Sequence, residues 1–265
     1  MLSVFYDDGQ IKYCPIESGS FPDGSLSLRV PIVKPLGIQW NYENDAELFT
    51  LICLRKHFSE YDLILRMPYI PHARMDRVKN EDEIFTLKYF AEIINSLNFT
   101  KVEVLDAHSN VSLALLNNVV EMDVKEHIQK AIDAINDDAL VLCFPDEGSM
   151  KRYSSMFNMP YCFGVKKRDW RTGKIEGIRL INKDMVYSNN ILIIDDICSR
   201  GGTFYHMGNA LKVAGAGEIF LYVSHAESTM VTGDMYNQDV VSKIFTTDSI
   251  FINPIWDTRN KVIMV

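Results

Sequence analysis

The stretch NILIIDDICSRGGT, Asn190 to Thr203, constrains this chain more than any other. Four apolar residues, Ile191 to Ile194, suit a strand buried on both faces, and two carboxylates, Asp195 and Asp196, stand at its C-terminal edge. A Gly-Gly-Thr turn then opens a helix whose periodic part is Phe204 to Ala214. In open α/β sheets ligands gather beyond the strand C-termini. Backbone N–H groups of Gly201, Gly202 and Thr203, with the helix dipole behind them, suit a phosphate. Asp195 and Asp196 suit the hydroxyls of a ribose.

ILIIDD alone is equally compatible with a plain buried strand carrying solvated acids, with a Walker B strand or with a receiver domain. The Gly-Gly-Thr turn and its helix tip the balance toward a ribose-phosphate loop. The rest of the chain repeats the same alternation. Asn44 or Asp45 caps a helix through Glu47, Leu48, Leu51 and Ile52, and Tyr61 to Leu65 reads as a strand. Leu87, Phe90, Ala91, Ile94 and Leu97 follow at helical spacing before a strand at 102–105. Val124, Ile128, Ile132 and Ile135 trace a further helix, with strands at 139–144 and 219–223. Helices alternating with strands predict α/β architecture with parallel sheets covered by helices. The pattern gives two α/β units, 1–122 and 123–265.

Composition narrows the classes. The 265 residues are 47% hydrophobic and 23% charged, ordinary for a globular chain and wrong for a disordered or coiled-coil one. The net charge of −8, with no compensating basic run, disfavours nucleic-acid binding. No segment approaches the roughly 18 apolar residues of a membrane span, and the first residues, MLSVFYDDGQ, lack a signal-peptide pattern. Five scattered cysteines without a CxxC pair suit reduced thiols, so a cytoplasmic protein without structural zinc or disulfides is expected.

Further segments carry a resemblance. FPDGSLSLRV (21–30) is similar to the FSDGE segment of the ribose-phosphate pyrophosphokinases, and MPYIPHARMDRV (67–78) to their PYxxYARQDR. VLDAHS (104–109) resembles VDLHA, FPDEG (144–148) matches SPDxG, VKKRD (165–169) matches the DKRR segment, and SHAES (224–228) stands where the family has THxxF. These occur in family order over nearly the whole chain, which resembles a short, phage-like member. Ordinary phosphoribosyltransferases share the ribose-phosphate loop alone.

The resemblance implies two tandem phosphoribosyltransferase-like domains and transfer of the diphosphoryl group of Mg-ATP to the anomeric hydroxyl of ribose 5-phosphate, with AMP released. It implies that Phe21 and Asp23 touch adenine, that Arg74 and His108 hold ATP phosphates, and that Asp76 positions the nucleotide. Asp106, His108 and Asp146 become the expected Mg²⁺ ligands, and Asp195, Asp196, Ser199, Arg200, Gly201, Gly202 and Thr203 the ribose-phosphate site. Lys166 and Arg168 would stabilise the charge of the transition state; Lys167 takes the place of Lys166 if the register slips by one. The segment after them, RDWRTGKIEG, reads as a mobile loop.

Three departures matter. The family loop reads DDxxDTGGT, whereas this chain has Ser199-Arg200 before the glycines. An arginine there adds a bidentate phosphate donor, so ADP-ribose, giving ADP-ribose pyrophosphate for NAD synthesis, is the alternative acceptor. Ser25 and Met75 replace a glutamate and a glutamine on the adenine side, which leaves nucleotide selectivity open. The chain stops at Val265, short of the family's usual length, which leaves its hexamer and its control by ADP and phosphate open; a homo-oligomer, at least a dimer, is expected. A phosphoribosyltransferase and a non-catalytic homologue are the rival readings.

Overall fold

The computed structural model describes residues 1–168, 175–250 and 257–265, and gives backbone alone for 166–168 and 175–176. The chain forms two compact units, Met1–Asp123 and Val124–Val265.

In the first unit the order is β1 (Leu2–Asp7), β2 (Ile11–Pro15), β3 (Glu17–Ser20), β4 (Leu26–Arg29), β5 (Gly37–Trp40), α1 (Ala46–His57), β6 (Ile64–Arg66), α2 (Thr86–Ser96), β7 (Lys101–Leu105), α3 (Asn110–Leu115) and β8 (Val119–Met122). One sheet runs β2-β1-β5-β6-β7-β8. Its pairs from β5 to β8 are parallel, and β1 is antiparallel to both neighbours. β3 and β4 form a separate antiparallel hairpin. Val4, Ile38, Leu65, Val102 and Val104 are buried with Leu51 and Leu54 of α1 and with Leu87, Phe90, Ala91 and Ile94 of α2. The α2 residues recur at three- and four-residue spacing, which keeps one apolar stripe on the sheet. The first forty residues, which carry no clear alternation, hold five strands.

The second unit contains α4 (Lys125–Ile135), β9 (Val141–Phe144), α5 (Glu147–Tyr153), β10 (Tyr161–Arg168), β11 (Ile175–Ile181), β12 (Ile191–Cys198), α6 (Gly202–Val213), β13 (Ile219–Ala226), α7 (Asp234–Asn237), β14 (Lys243–Thr246) and β15 (Val262–Met264). The sheet order is β11-β10-β9-β12-β13-β14-β15, parallel except for the β10–β11 pair. Ile191 to Ile194 are fully buried, as their apolar run requires; burial of each such side chain is worth roughly 1.5–3 kcal/mol. After β9 the chain moves to β10 on one side, and β12 then pairs with the other side of β9. The C-terminal ends of β9 and β12 therefore flank a topological switch point, where α/β sheets place their ligands.

The parallel α/β class is as expected. The segment RDWRTGKIEG differs from its reading as a loop at its two ends. Its first residue, Arg168, ends β10, and Ile175 to Gly177 begin β11, paired antiparallel with β10 across a register shift between Lys167 and Arg168. The polar composition hid the start of an edge strand; residues 169–174 lie outside the described residues. No described helix is long and apolar enough to cross a membrane.

Candidate active site

β12 delivers Asp195 and Asp196 to the switch point. Asp196 is buried at 6% exposure, and Arg152 of α5 brings its Nη1 to 3.9 Å from Asp196 Oδ2. Among the described residues Asp195 has no such cation. Loss of water, then the charges of Asp196 and Asp146, push its carboxyl well above the usual carboxylate range. A site built this way favours a ligand that donates hydrogen bonds to Asp195, since donors lower the cost of its ionised form.

The chain leaves β12 through Ser199 and Arg200 and enters α6 at Gly201, whose φ of 72° is in the left-handed region that glycine adopts without strain. Tyr205 N donates to Gly201 O at 2.8 Å, so α6 begins at once behind the turn. Gly202 and Arg200 are exposed, and Thr203 is half-buried. Ser199 Oγ lies 3.2 Å from Thr229 Oγ1. Gly233 packs behind the loop so closely that an added Cβ would overlap the Arg200 carbonyl oxygen. These contacts fix the loop ahead of α6, whose first-turn N–H groups lack intrahelical partners, the feature that binds anions at helix N-termini.

Asp146 follows β9 and acts as the N-cap of α5: its Oδ1 accepts from Gly148 N at 3.0 Å and Ser149 N at 3.2 Å, completing a capping box. The Pro-Asp-x-Gly turn thus has a structural use for one carboxylate oxygen. At the end of β13, His225 is 2% exposed, with Nδ1 2.7 Å from Ser249 Oγ, which in turn donates to Ser224 O. The SHAES segment is therefore anchored inside the second unit.

On the first unit a cavity of about 350 Å³ is lined by Arg74, Met75, Asp76, Arg77, Lys79, Glu83 and His108. It brings Arg74, Asp76 and His108 together. Arg77 grips Asp76 with two hydrogen bonds, at 2.9 and 3.3 Å. Arg77 first, then Ser109 and the charge of His108, hold the Asp76 carboxyl below its ordinary value. Glu83 accepts from Lys79 N at 2.7 Å and so closes the loop that rims the cavity. Asp106, φ 44° and 2% exposed, follows β7 and turns the chain ahead of His108, which lines the cavity. Arg77 was within reach of sequence reasoning, as it belongs to the same motif; Lys79 and Glu83 carry no signal beyond their charge.

Phe21 and Asp23 do not line that cavity. They occupy the tip of the β3–β4 hairpin, where Phe21 is 57% exposed. Asp23 Oδ1 accepts from Ser25 N at 2.9 Å and Ser25 Oγ at 2.7 Å, and these bonds depress the Asp23 carboxyl. Ser25, a departure from the motif, thereby fixes the turn that presents Phe21. Lys166 and Arg168 lie on β10, with side chains outside the described ones. Among the described residues no group of three His, Cys, Asp or Glu side chains is arranged to hold a metal ion. Asp106 in the first unit and Asp146 in the second each carry a carboxylate, the donor type that Mg²⁺ accepts beside phosphate and water, whereas the His108 imidazole suits a phosphate contact better than that ion.

No family model matches the chain. A ribose-phosphate pyrophosphokinase of Saccharolobus solfataricus is 26% identical over 260 residues, covering 92% of this chain and 87% of that protein. One of Pyrococcus abyssi is 29% identical over 224 residues, covering 79% and 75%. The crystal structure of phosphoribosylpyrophosphate synthetase from Mycobacterium smegmatis superposes with a TM-score of 0.74 at 16% identity, covering 95% of this chain and 85% of that one. At that identity the superposition speaks to fold.

Proposed function

We propose that this chain, which is 26% and 29% identical to two ribose-phosphate pyrophosphokinases over most of its length, transfers the diphosphoryl group of Mg-ATP to the anomeric hydroxyl of ribose 5-phosphate and releases AMP, in the cytoplasm. The observation that carries this reading is the 199–203 loop at the head of α6, set beside Asp195 and Asp196 at the sheet's switch point. The loop N–H groups take the 5-phosphate, and the ribose hydroxyls donate to Asp195 and Asp196. Arg74 and His108 hold ATP phosphates, Asp76 in the grip of Arg77 orients the nucleotide, and Phe21 with Asp23 meets the adenine. Lys166 and Arg168 meet the charge that develops on the transferred group. Asp106 and His108 in the first unit, and separately Asp146 in the second, are the candidates for contact with Mg²⁺, which when bound offsets phosphate charge.

A second acceptor, ADP-ribose, is favoured by one observation. Arg200 is exposed on the loop, and its guanidinium has no ion-pair or hydrogen-bond partner among the described residues, so it is available to a second phosphate. Mass spectrometry after incubation with Mg-ATP and either sugar tests both readings. A mass gain of one diphosphate on the sugar with AMP release is expected. Absence of AMP with both sugars would instead favour a phosphoribosyltransferase or a non-catalytic homologue.

A further inference from the structure

We propose that His72, tied to Asp45, is a positioning residue for ATP: it sets the turn from which Arg74 and Asp76 enter their cavity. The role rests on the pyrophosphokinase reading and adds to it a residue outside the cavity lining. His72 has φ 62°, a left-handed conformation that few non-glycine residues adopt, with Asn, Asp and His enriched among them. It lies in the turn 71–74, and its carbonyl accepts Met75 N at 2.8 Å. The backbone at His72 therefore decides the direction in which the next four residues leave.

The imidazole is fixed from two elements. Its Nε2 lies 3.1 Å from Asp45 Oδ1, just ahead of α1, and its ring centroid is 5.4 Å from that of Phe90 on α2. Facing a carboxylate, Nε2 is assigned as the donor. The Asp45 side chain makes no capping bond to α1; the same oxygen accepts Tyr42 OH at 2.8 Å. The carboxylate is thus directed at the turn rather than at its own helix. Tyr42 in turn packs on Tyr69 at 6.1 Å between centroids, so the motif is clasped on both sides of Ile70–Pro71.

The test uses the full chain and the variants His72→Gly, Asp45→Ala, His72→Asn and the double His72→Gly/Asp45→Ala. Glycine accepts the left-handed backbone, so His72→Gly removes the tie without adding strain. Mg-ATP binding is measured by titration calorimetry without acceptor, and KM and kcat are measured for both substrates. His72→Gly and Asp45→Ala are expected to raise the ATP Kd and KM about three- to tenfold, the range of a half-exposed charged hydrogen bond. The acceptor KM and kcat should stay within about twofold. The double variant should be no worse than the worse single one, since both remove one link, and His72→Asn, which keeps both the backbone region and a donor, should recover most of the loss. Unchanged ATP affinity in both single variants, or simple additivity in the double, overturns the proposal. A parent protein that binds no Mg-ATP overturns the functional reading itself, an outcome separate from a parent that binds while the variants match it.

Discussion

Asp195 is a carboxylate kept where ionisation is unfavourable, between Asp196 and Asp146 and with its hydration reduced. In the unfolded chain it loses its proton near 3.8, whereas the folded chain keeps the proton to higher pH. The folded state then binds more protons, so stability falls as pH rises through that window, and above it the ionised group is a standing cost. Asp195→Asn should therefore raise Tm at pH 7, by about 2–4 °C per kcal/mol recovered in a chain of this size, with the gain shrinking toward pH 4; calorimetry at both pH values checks it. Turnover should fall at the same time. A variant less stable than its parent at pH 7 would mean that Asp195 is satisfied by neighbours. Lys166→Ala and Arg168→Ala should each lower kcat roughly a hundredfold or more with ATP binding retained, as for groups acting in the transition state; near-parental turnover in both would remove them from the chemistry. At this scale the sequence was informative where a motif dictated chemistry, as for Arg74, Asp76 and His108, which line one cavity. It could not show that Asp146 Oδ1 would be engaged by the cap of α5, or that Arg152 would approach Asp196, because both depend on how a helix packs against strand ends.

Among the elements, those with an uninterrupted pattern were legible. The four-residue apolar run of β12 and the three- and four-residue spacing of α2 each admit one reading. β2 was not, since IKYCP is almost wholly exposed and shows no buried face. β11, the edge strand beside β10, went unread because its start lies in the polar run RDWRTGKIEG. The turn between β12 and α6 carries the prediction at this scale. If Arg200 holds a second acceptor phosphate, Ser199→Asp with Arg200→Thr should weaken use of ADP-ribose more than use of ribose 5-phosphate. A lost charged hydrogen bond of about 1.5–3 kcal/mol corresponds to roughly a ten- to hundredfold change in the preference ratio. Initial rates with both acceptors decide it; an unchanged ratio would mean that Arg200 serves solvent and that acceptor choice lies elsewhere.

For the molecule as a whole, the net charge of −8 must, on the proposed function, coexist with two anionic substrates, so cations have to be local. Arg74, Arg77, Lys79 and His108 supply them in the first unit, and a divalent cation brought with ATP is expected to complete the balance. Activity should vanish in excess chelator, return with Mg²⁺, and fall when His108 is replaced by Ala; full turnover in chelator would contradict the scheme. The loop before α6 has a different kind of dependence on the whole chain. Its path is fixed from behind by Gly233, more than thirty positions later, whose missing side chain makes room for the Arg200 carbonyl. Heritable change should therefore be distributed unevenly. In a library randomised at 199, 200 and 233, the first two positions should drift among many residues and redirect acceptor choice, while survivors at 233 should be glycine, so that the freedom to acquire a new substrate resides in a site whose constraint is recorded elsewhere in the gene.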